Sequence, residues 1–265
     1  MEMRGLMGGF YKISEWIMRL SVTNLLWIIC SIPYIFLLFP ILMADSSDAL
    51  MTSLILSSVI APFTLFPATA ALFSVARKWV MGEVDAPLLK TFFRNYKECY
   101  KQSMIGGILY VVIFAILIVD FRVYLVKLES LQIISYLFIA LMALLAVSLF
   151  NFFSMVVHYQ MKTFQLLKNA VLLTIGRPLR SLSTAIMCGF VVYISFSSPK
   201  LMFLVPFFTG SIVAAIAFWN FYGIYTKLQM QAEKAAAAAE AEALQEKIDN
   251  EGIEFITEEG HNAKK

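Results

Sequence analysis

The chain has 265 residues, 60% of them hydrophobic and only 15% charged. Soluble domains run at about 45–50% apolar and about 25% charged, so this composition excludes an ordinary soluble globule. The net charge of +3 is too small to mark a nucleic-acid binder, and the position of the charges along the chain carries the information.

A membrane-crossing helix needs about 20 largely apolar residues, and the sequence offers six such blocks. Ahead of the first, over residues 6–20, Phe10, Ile13, Ile17 and Leu20 share one stripe. That spacing predicts an amphipathic helix on the inner membrane surface, with Trp16 as interface anchor. The first span is placed at 24–43 and read as retained, because further apolar blocks follow it and no secretory cleavage pattern is evident. The second is placed at 50–76. Pro33 and Pro40 lie in the first of these spans, Pro62 and Pro67 in the second. An interior proline removes a backbone hydrogen bond and kinks a helix, so the second span is expected to bend or break between Ala61 and Pro67. Ala68, Ala70, Ala71 and Ser74 then give it a small-residue face of the kind that lets helix backbones approach closely, within the monomer or against another subunit.

Over 87–101, Leu88, Leu89, Phe92, Phe93, Tyr96 and Tyr100 recur at spacings of three and four, with Lys90, Arg94, Lys97 and Lys101 opposite them. This pattern predicts a second amphipathic helix lying in the inner membrane surface, its basic face drawn to anionic lipid. The third and fourth spans are placed at 103–119 and 131–157. A basic loop follows, in which Lys162-Thr163-Phe164 echoes Lys90-Thr91-Phe92 and suggests an internal repeat. The fifth and sixth spans, 182–198 and 201–225, are joined only by Pro199 and Lys200 and must form a tight hairpin. Residues 227–265 read as a cytoplasmic helical extension, rich in Ala, Glu, Gln and Lys. Asn250 and Gly252 are taken as its stop signals, with a flexible acidic tail beyond.

The six blocks predict an all-α polytopic integral membrane protein, and charge placement orients it. With the N-terminus inside, the cytoplasmic pieces hold 18 of the 21 Lys and Arg residues, leaving Arg122, Lys127 and Lys200 outside. Lys and Arg collect in short cytoplasmic loops, so both termini are expected in the cytoplasm. Arg77 and Lys78, with Trp79, are expected to anchor the second span at the inner interface and to join Lys90, Arg94, Lys97 and Lys101 in a cytoplasmic basic surface.

Chemistry is sparse. The six assigned cores hold no Asp, Glu, Lys, Arg or His, the residues that ion-coupled carriers use. Asp120 sits at the outer edge of the third span, and His158 at the inner edge of the fourth, where it is expected to snorkel. Asn24, Asn151 and Asn220 lie toward the inner ends of their spans. They read as helix-to-helix hydrogen-bonding residues, or alternatively as a polar pocket near the inner leaflet. Cys30, Cys99 and Cys188 form no CxxC pair and lie near no His cluster, so they read as small apolar fillers. Without GxxxxGK[ST], HExxH, GxSxG or a paired-carboxylate site, no catalytic, cofactor-binding or metal-binding residue is nominated, and no enzyme is expected.

The stretches Asn24-Leu25-Leu26-Trp27, Phe66-Pro67-Ala68-Thr69-Ala70-Ala71-Leu72-Phe73, Arg77-Lys78-Trp79, Phe92-Phe93-Arg94-Asn95-Tyr96-Lys97 and Lys101-Gln102-Ser103 resemble the YesL-like family of bacterial membrane proteins. The resemblance implies a six-helix plasma-membrane protein without assigned chemistry, in a family often linked to carbohydrate ABC uptake systems. That link is associational. The expectation is therefore a non-enzymatic accessory subunit that meets the lipid bilayer and an ABC permease or its ATPase, with a second copy of the chain as a further partner class. The alternative is a transporter or channel for a neutral or lipid-like solute, suggested by the prolines of the first hairpin.

Overall fold

The computed structural model describes residues 6–43, 46–126 and 132–262. Lys127, the first residue of the fourth expected span at 131 and the last three residues of the expected tail lie outside the described residues. Among the described residues all regular structure is helical: α1 (Leu6–Cys30), α2 (Ile32–Leu38), α3 (Ser47–Ile60), α4 (Leu65–Val80), α5 (Leu88–Val126), α6 (Ile133–His158), α7 (Thr163–Gly176), α8 (Pro178–Phe196) and α9 (Gly210–Asn262). Short 3₁₀ turns follow α2 at Phe39–Met43 and α3 at Ala61–Phe63. A π-turn over Val205–Thr209 precedes α9. Five helices, Gly8–Cys30, Leu88–Val126, Ile133–His158, Pro178–Phe196 and Val205–Glu242, are long and apolar enough to cross a membrane. The pair Asp48–Phe63 and Leu65–Val80, bent by 50°, passes the same test when taken together, as a broken span or a re-entrant loop. The chain is an all-α, polytopic membrane protein.

Several expected boundaries move, each for a local reason. The surface helix at 6–20 and the start of the first span are one helix, α1. Nothing between residues 20 and 24 stops it, and the Thr23 hydroxyl donates back to the Arg19 carbonyl at 2.8 Å, which keeps a β-branched residue content inside a helix. The helix breaks instead at Ser31, because Pro33 sits in the first turn of α2 and cannot continue the ladder. The surface helix at 87–101 likewise runs unbroken into the third span as the 39-residue α5. Residues 158–181, expected to form a basic loop, contain a helix of their own, α7. Pro178 opens α8 four residues ahead of the expected start, in the one helical position where a missing N–H costs little. At the far end α9 passes through Asn250 and Gly252 to Asn262. A lone glycine costs only about 1 kcal/mol in a helix, and strong helix formers surround it.

The expected break in the second span is present. Pro62 lies in the 3₁₀ turn and Pro67 in the first turn of α4. One carbonyl freed there, that of Phe63, accepts a hydrogen bond from the Tyr100 hydroxyl at 3.1 Å.

The packed centre lies around α4, where Ala68, Ala70 and Ala71 are fully enclosed and Phe73, Ser74, Val75 and Ala76 nearly so. Phe153 of α6 stacks between Phe66 and Phe73, with ring centroids 5.4 and 5.5 Å away. Helix α5 closes on the same centre through Gly106 and Gly107. A side chain at Gly106 would overlap the ring of Phe152, and a Cβ at Gly107 would come within 2.7 Å of the Phe66 ring. Beyond this centre the apolar side chains turn outward, as at Ile116, Val119, Ile133, Tyr136, Leu182 and Phe190. Such faces suit lipid as the surrounding solvent.

The chain divides into two compact units, residues 1–221 and 222–265. In the second, every residue from Lys227 to Glu242 is exposed.

Candidate functional site

The most specific polar construction in the membrane unit is a junction between α1 and the π-turn. A π-turn shifts the helical ladder by one residue at the start of the last span. Asn24, fully buried, bonds to the backbone there. Its Nδ2 donates to the carbonyls of Val205 at 2.9 Å and Pro206 at 2.7 Å, while its Oδ1 accepts the Ser211 N–H at 3.0 Å. One amide thus satisfies three backbone groups at a helix break, in surroundings where water is not available to do so. Close approach requires Gly210, where a Cβ would lie 2.7 Å from Asn24 Oδ1 and 3.2 Å from the Trp27 ring. One turn further along α1, Trp27 Nε1 donates to Thr69 Oγ1 at 3.1 Å, tying the same helix to α4.

The other two asparagines lie apart from this junction in their bonding. Asn151 Nδ2 donates to Thr174 Oγ1 at 2.9 Å and ties α6 to α7. Asn220 is buried, with only the Met187 sulfur 3.8 Å from its Nδ2 and no partner for its Oδ1. The three therefore use separate hydrogen-bond partners. Two further hydrogen bonds join helices: Tyr110 to Ser148 at 3.0 Å and Thr209 to Ser195 at 2.7 Å. In both, the serine hydroxyl also lies within hydrogen-bond distance of a carbonyl of its own helix.

The small-residue face Ala68, Ala70, Ala71 and Ser74 is covered by the chain's own helices and offers no free surface to a partner. The basic positions divide. Lys90, Arg94, Lys97 and Lys101 are exposed along α5, and Arg94 lies 3.9 Å from Glu98. Lys78 pairs with Glu83, whereas Arg77 is half-buried and takes part in none of the ion pairs among the described residues. The opposite face of this part of α5 turns Thr91, Phe92 and Cys99 into the protein, while Leu89 and Phe93 remain exposed. The stripe read as lipid-facing is in part a packing face, because a 3.6-residue pattern does not say whether lipid or protein covers it.

Two features escaped the sequence reading. Arg19 lies within the first crossing helix, 6% exposed, so the membrane unit does contain an ionisable residue. It bonds Glu15 one turn earlier and Asp85 in the α4–α5 connection. The i,i+4 spacing of Glu15 and Arg19 was legible; Asp85, 66 positions away, was not. Second, Trp16, Trp79 and Trp219 gather with Val80, Ala215 and Ile216 around an apolar recess of about 280 Å³, with Trp16 and Trp79 edge-to-face at 5.7 Å. His158 does not snorkel freely. It sits among the rings of Tyr159, Phe218 and Phe221 at 5.1–6.1 Å.

A profile described as "Protein of unknown function, DUF624" matches residues 20–121, the stretch that holds Asn24, α4, Arg77 and the Gly106–Gly107 pair. Three proteins of Bacillus subtilis (strain 168), each described as uncharacterized, are similar to this chain. YteU is 29% identical over 230 residues, covering 86% of this chain and 90% of its own. YesL is 25% identical over 235 residues, with 87% and 96% covered. YesV is 30% identical over 143 residues, with 54% and 67% covered. No solved structure matches the chain.

Proposed function

The chain belongs to the YesL-like family, that of the DUF624 segment, and on that premise we propose that it is a non-enzymatic accessory subunit of a carbohydrate ABC uptake system in the bacterial plasma membrane. The observation that supports this reading is the solid centre. Around α4, small residues, two glycines and stacked aromatic rings fill the space where a conduit would need room, and Asn24, Asn151 and Tyr110 spend their hydrogen bonds between helices. A body packed in this way serves as a rigid partner for another membrane protein. Contact with the permease or its ATPase would use the exposed basic row of α5 and the exposed second unit. Crosslinking followed by affinity capture of the tagged full-length chain from its native membrane tests the reading. A sugar permease should be enriched in proportion to the bait. Recovery of the chain alone, or only with copies of itself, would refute it.

A second reading, a carrier or channel for a neutral or lipid-like solute, draws on the three interrupted helices at Ser31, Ala61–Phe63 and Val205–Thr209. Broken helices build the central sites of many transporters. Flux of a neutral sugar into liposomes holding only this protein, abolished by Asn24→Ala, would favour it over the accessory role.

A further inference from the structure

Among the described residues few buried polar side-chain atoms are without partners, and three of them are donors: Arg19 Nε, Arg77 Nε and Trp79 Nε1. Arg19 at least has two carboxylates on its Nη2. Arg77 has none, and the ion pairs among the described residues belong to Arg19, Lys78 and Arg94. A guanidinium half-withdrawn from water with no counter-charge is costly, and an ionisable residue at membrane depth marks a site unless a partner accounts for it. Arg77 lies within electrostatic reach of Cys99, which Glu98 also reaches, and of His158, and from residue 132 to residue 221 the sequence contains Lys162, Lys168, Arg177, Arg180 and Lys200 but no Asp or Glu. Gln102 Nε2 donates to the Met161 carbonyl at 2.7 Å, which brings the backbones next to Lys101 and Lys162 into the same inner corner. The carboxylates near this end of α4, Glu83 and Asp85, pair with Lys78 and Arg19, and a phosphate group would bring Arg77 acceptor oxygen and negative charge together.

Val80, one turn after Arg77, lines the apolar recess, as does Trp79, whose indole N–H is one of the unspent donors. We propose that the inner end of α4 seats one anionic phospholipid, with its phosphate on the Arg77 guanidinium and an acyl chain in the recess among Trp16, Trp79 and Trp219. This site is independent of the accessory role argued above. It differs from the diffuse attraction of lipid to the exposed row on α5, because it has one cationic ligand and one apolar pocket.

The test uses the full chain in nanodiscs of phosphatidylcholine, alone or doped with phosphatidylglycerol, read by thermal melting and by native mass spectrometry of retained lipid. Phosphatidylglycerol should raise the melting temperature of the wild-type protein and remain bound to it in a ratio of one to one. Arg77→Gln should weaken that binding about tenfold, as expected for loss of one charge-assisted contact, and Arg77→Lys should restore part of it. Lys90→Gln and Lys97→Gln should leave the one-to-one complex intact. In phosphatidylcholine alone, Arg77→Gln should melt no lower than wild type, since it removes an unpaired charge; a lower melting point there would mean that Arg77 has a structural partner within the protein and would overturn the proposal. Equal phosphatidylglycerol retention by wild type and Arg77→Gln would also overturn it. So would full stabilisation by inorganic phosphate in the neutral discs, which would indicate a soluble anion instead of a lipid.

Discussion

Asn24 shows how much one side chain can decide in a membrane. Its amide serves two carbonyls and one N–H at the π-turn and the start of α9. Average inter-helix hydrogen bonds in bilayers contribute about 0.6 kcal/mol, but here removal takes away three hydrogen bonds at once. Asn24→Ala should therefore cost about 2 kcal/mol, read as a lower midpoint in denaturant titrations of the micellar protein. Asn24→Asp should be worse than alanine, because a carboxylate keeps the Ser211 bond but faces the Val205 and Pro206 carbonyls with no donor. Gly210→Ala should destabilise by about 1–3 kcal/mol in the wild-type background and by much less in Asn24→Ala, since the clash is with Asn24 Oδ1 at 2.7 Å. Additivity in that double-mutant cycle would contradict the contact. Gly106→Ala meets the buried Phe152 ring in the same manner. It should lose about 1–3 kcal/mol, recovered in part by Phe152→Leu, with the melting temperature of the double variant above that of Gly106→Ala.

At the scale of the element, continuity is what matters most. A surface helix hinged to a span could move independently, whereas α5 couples its basic, exposed inner part to its apolar outer part through one unbroken backbone ladder. Spin labels at Lys90 and Leu125 should accordingly report a narrow distance near 50 Å, from a rise of about 1.5 Å per residue. Gln102→Pro, at the join between the two expected pieces, should cost about 3 kcal/mol or more; a hinged pair of helices would accept it with little loss, so an unchanged melting curve would refute the rod. Helix α4 makes the complementary point. Its proline-marked start lets it turn 50° away from α3, and that turn carries the small residues into the centre, where α5 and α6 close on them.

For the whole molecule, the two units differ in what stabilises them. The membrane unit is held by enclosed residues from several helices. The exposed stretch of the second unit, from Lys227 to Glu242, is rich in strong helix formers, and long Ala-rich runs are marginal without tertiary support. Deleting 227–265 should leave the melting of the membrane unit unchanged while lowering the helical circular-dichroism signal. A large fall in melting temperature on deletion would show that the extension stabilises the membrane unit.

The sequence by itself determined that lipid is the solvent, about how many helices cross it and where proline breaks the second span, because these depend on composition, block length and the missing proline N–H, all of which are local. It also placed Asn24, Arg77 and the alanine face of α4 among the residues to examine. Only the tertiary structure decided what each of them meets: Asn24 a turn some 180 positions away, the alanines the chain's own α5 and α6, Arg77 no carboxylate among the described residues. The boundaries that moved did so for a related reason. A helix stops where its backbone loses partners, and whether a neighbour replaces them depends on which distant segment folds alongside.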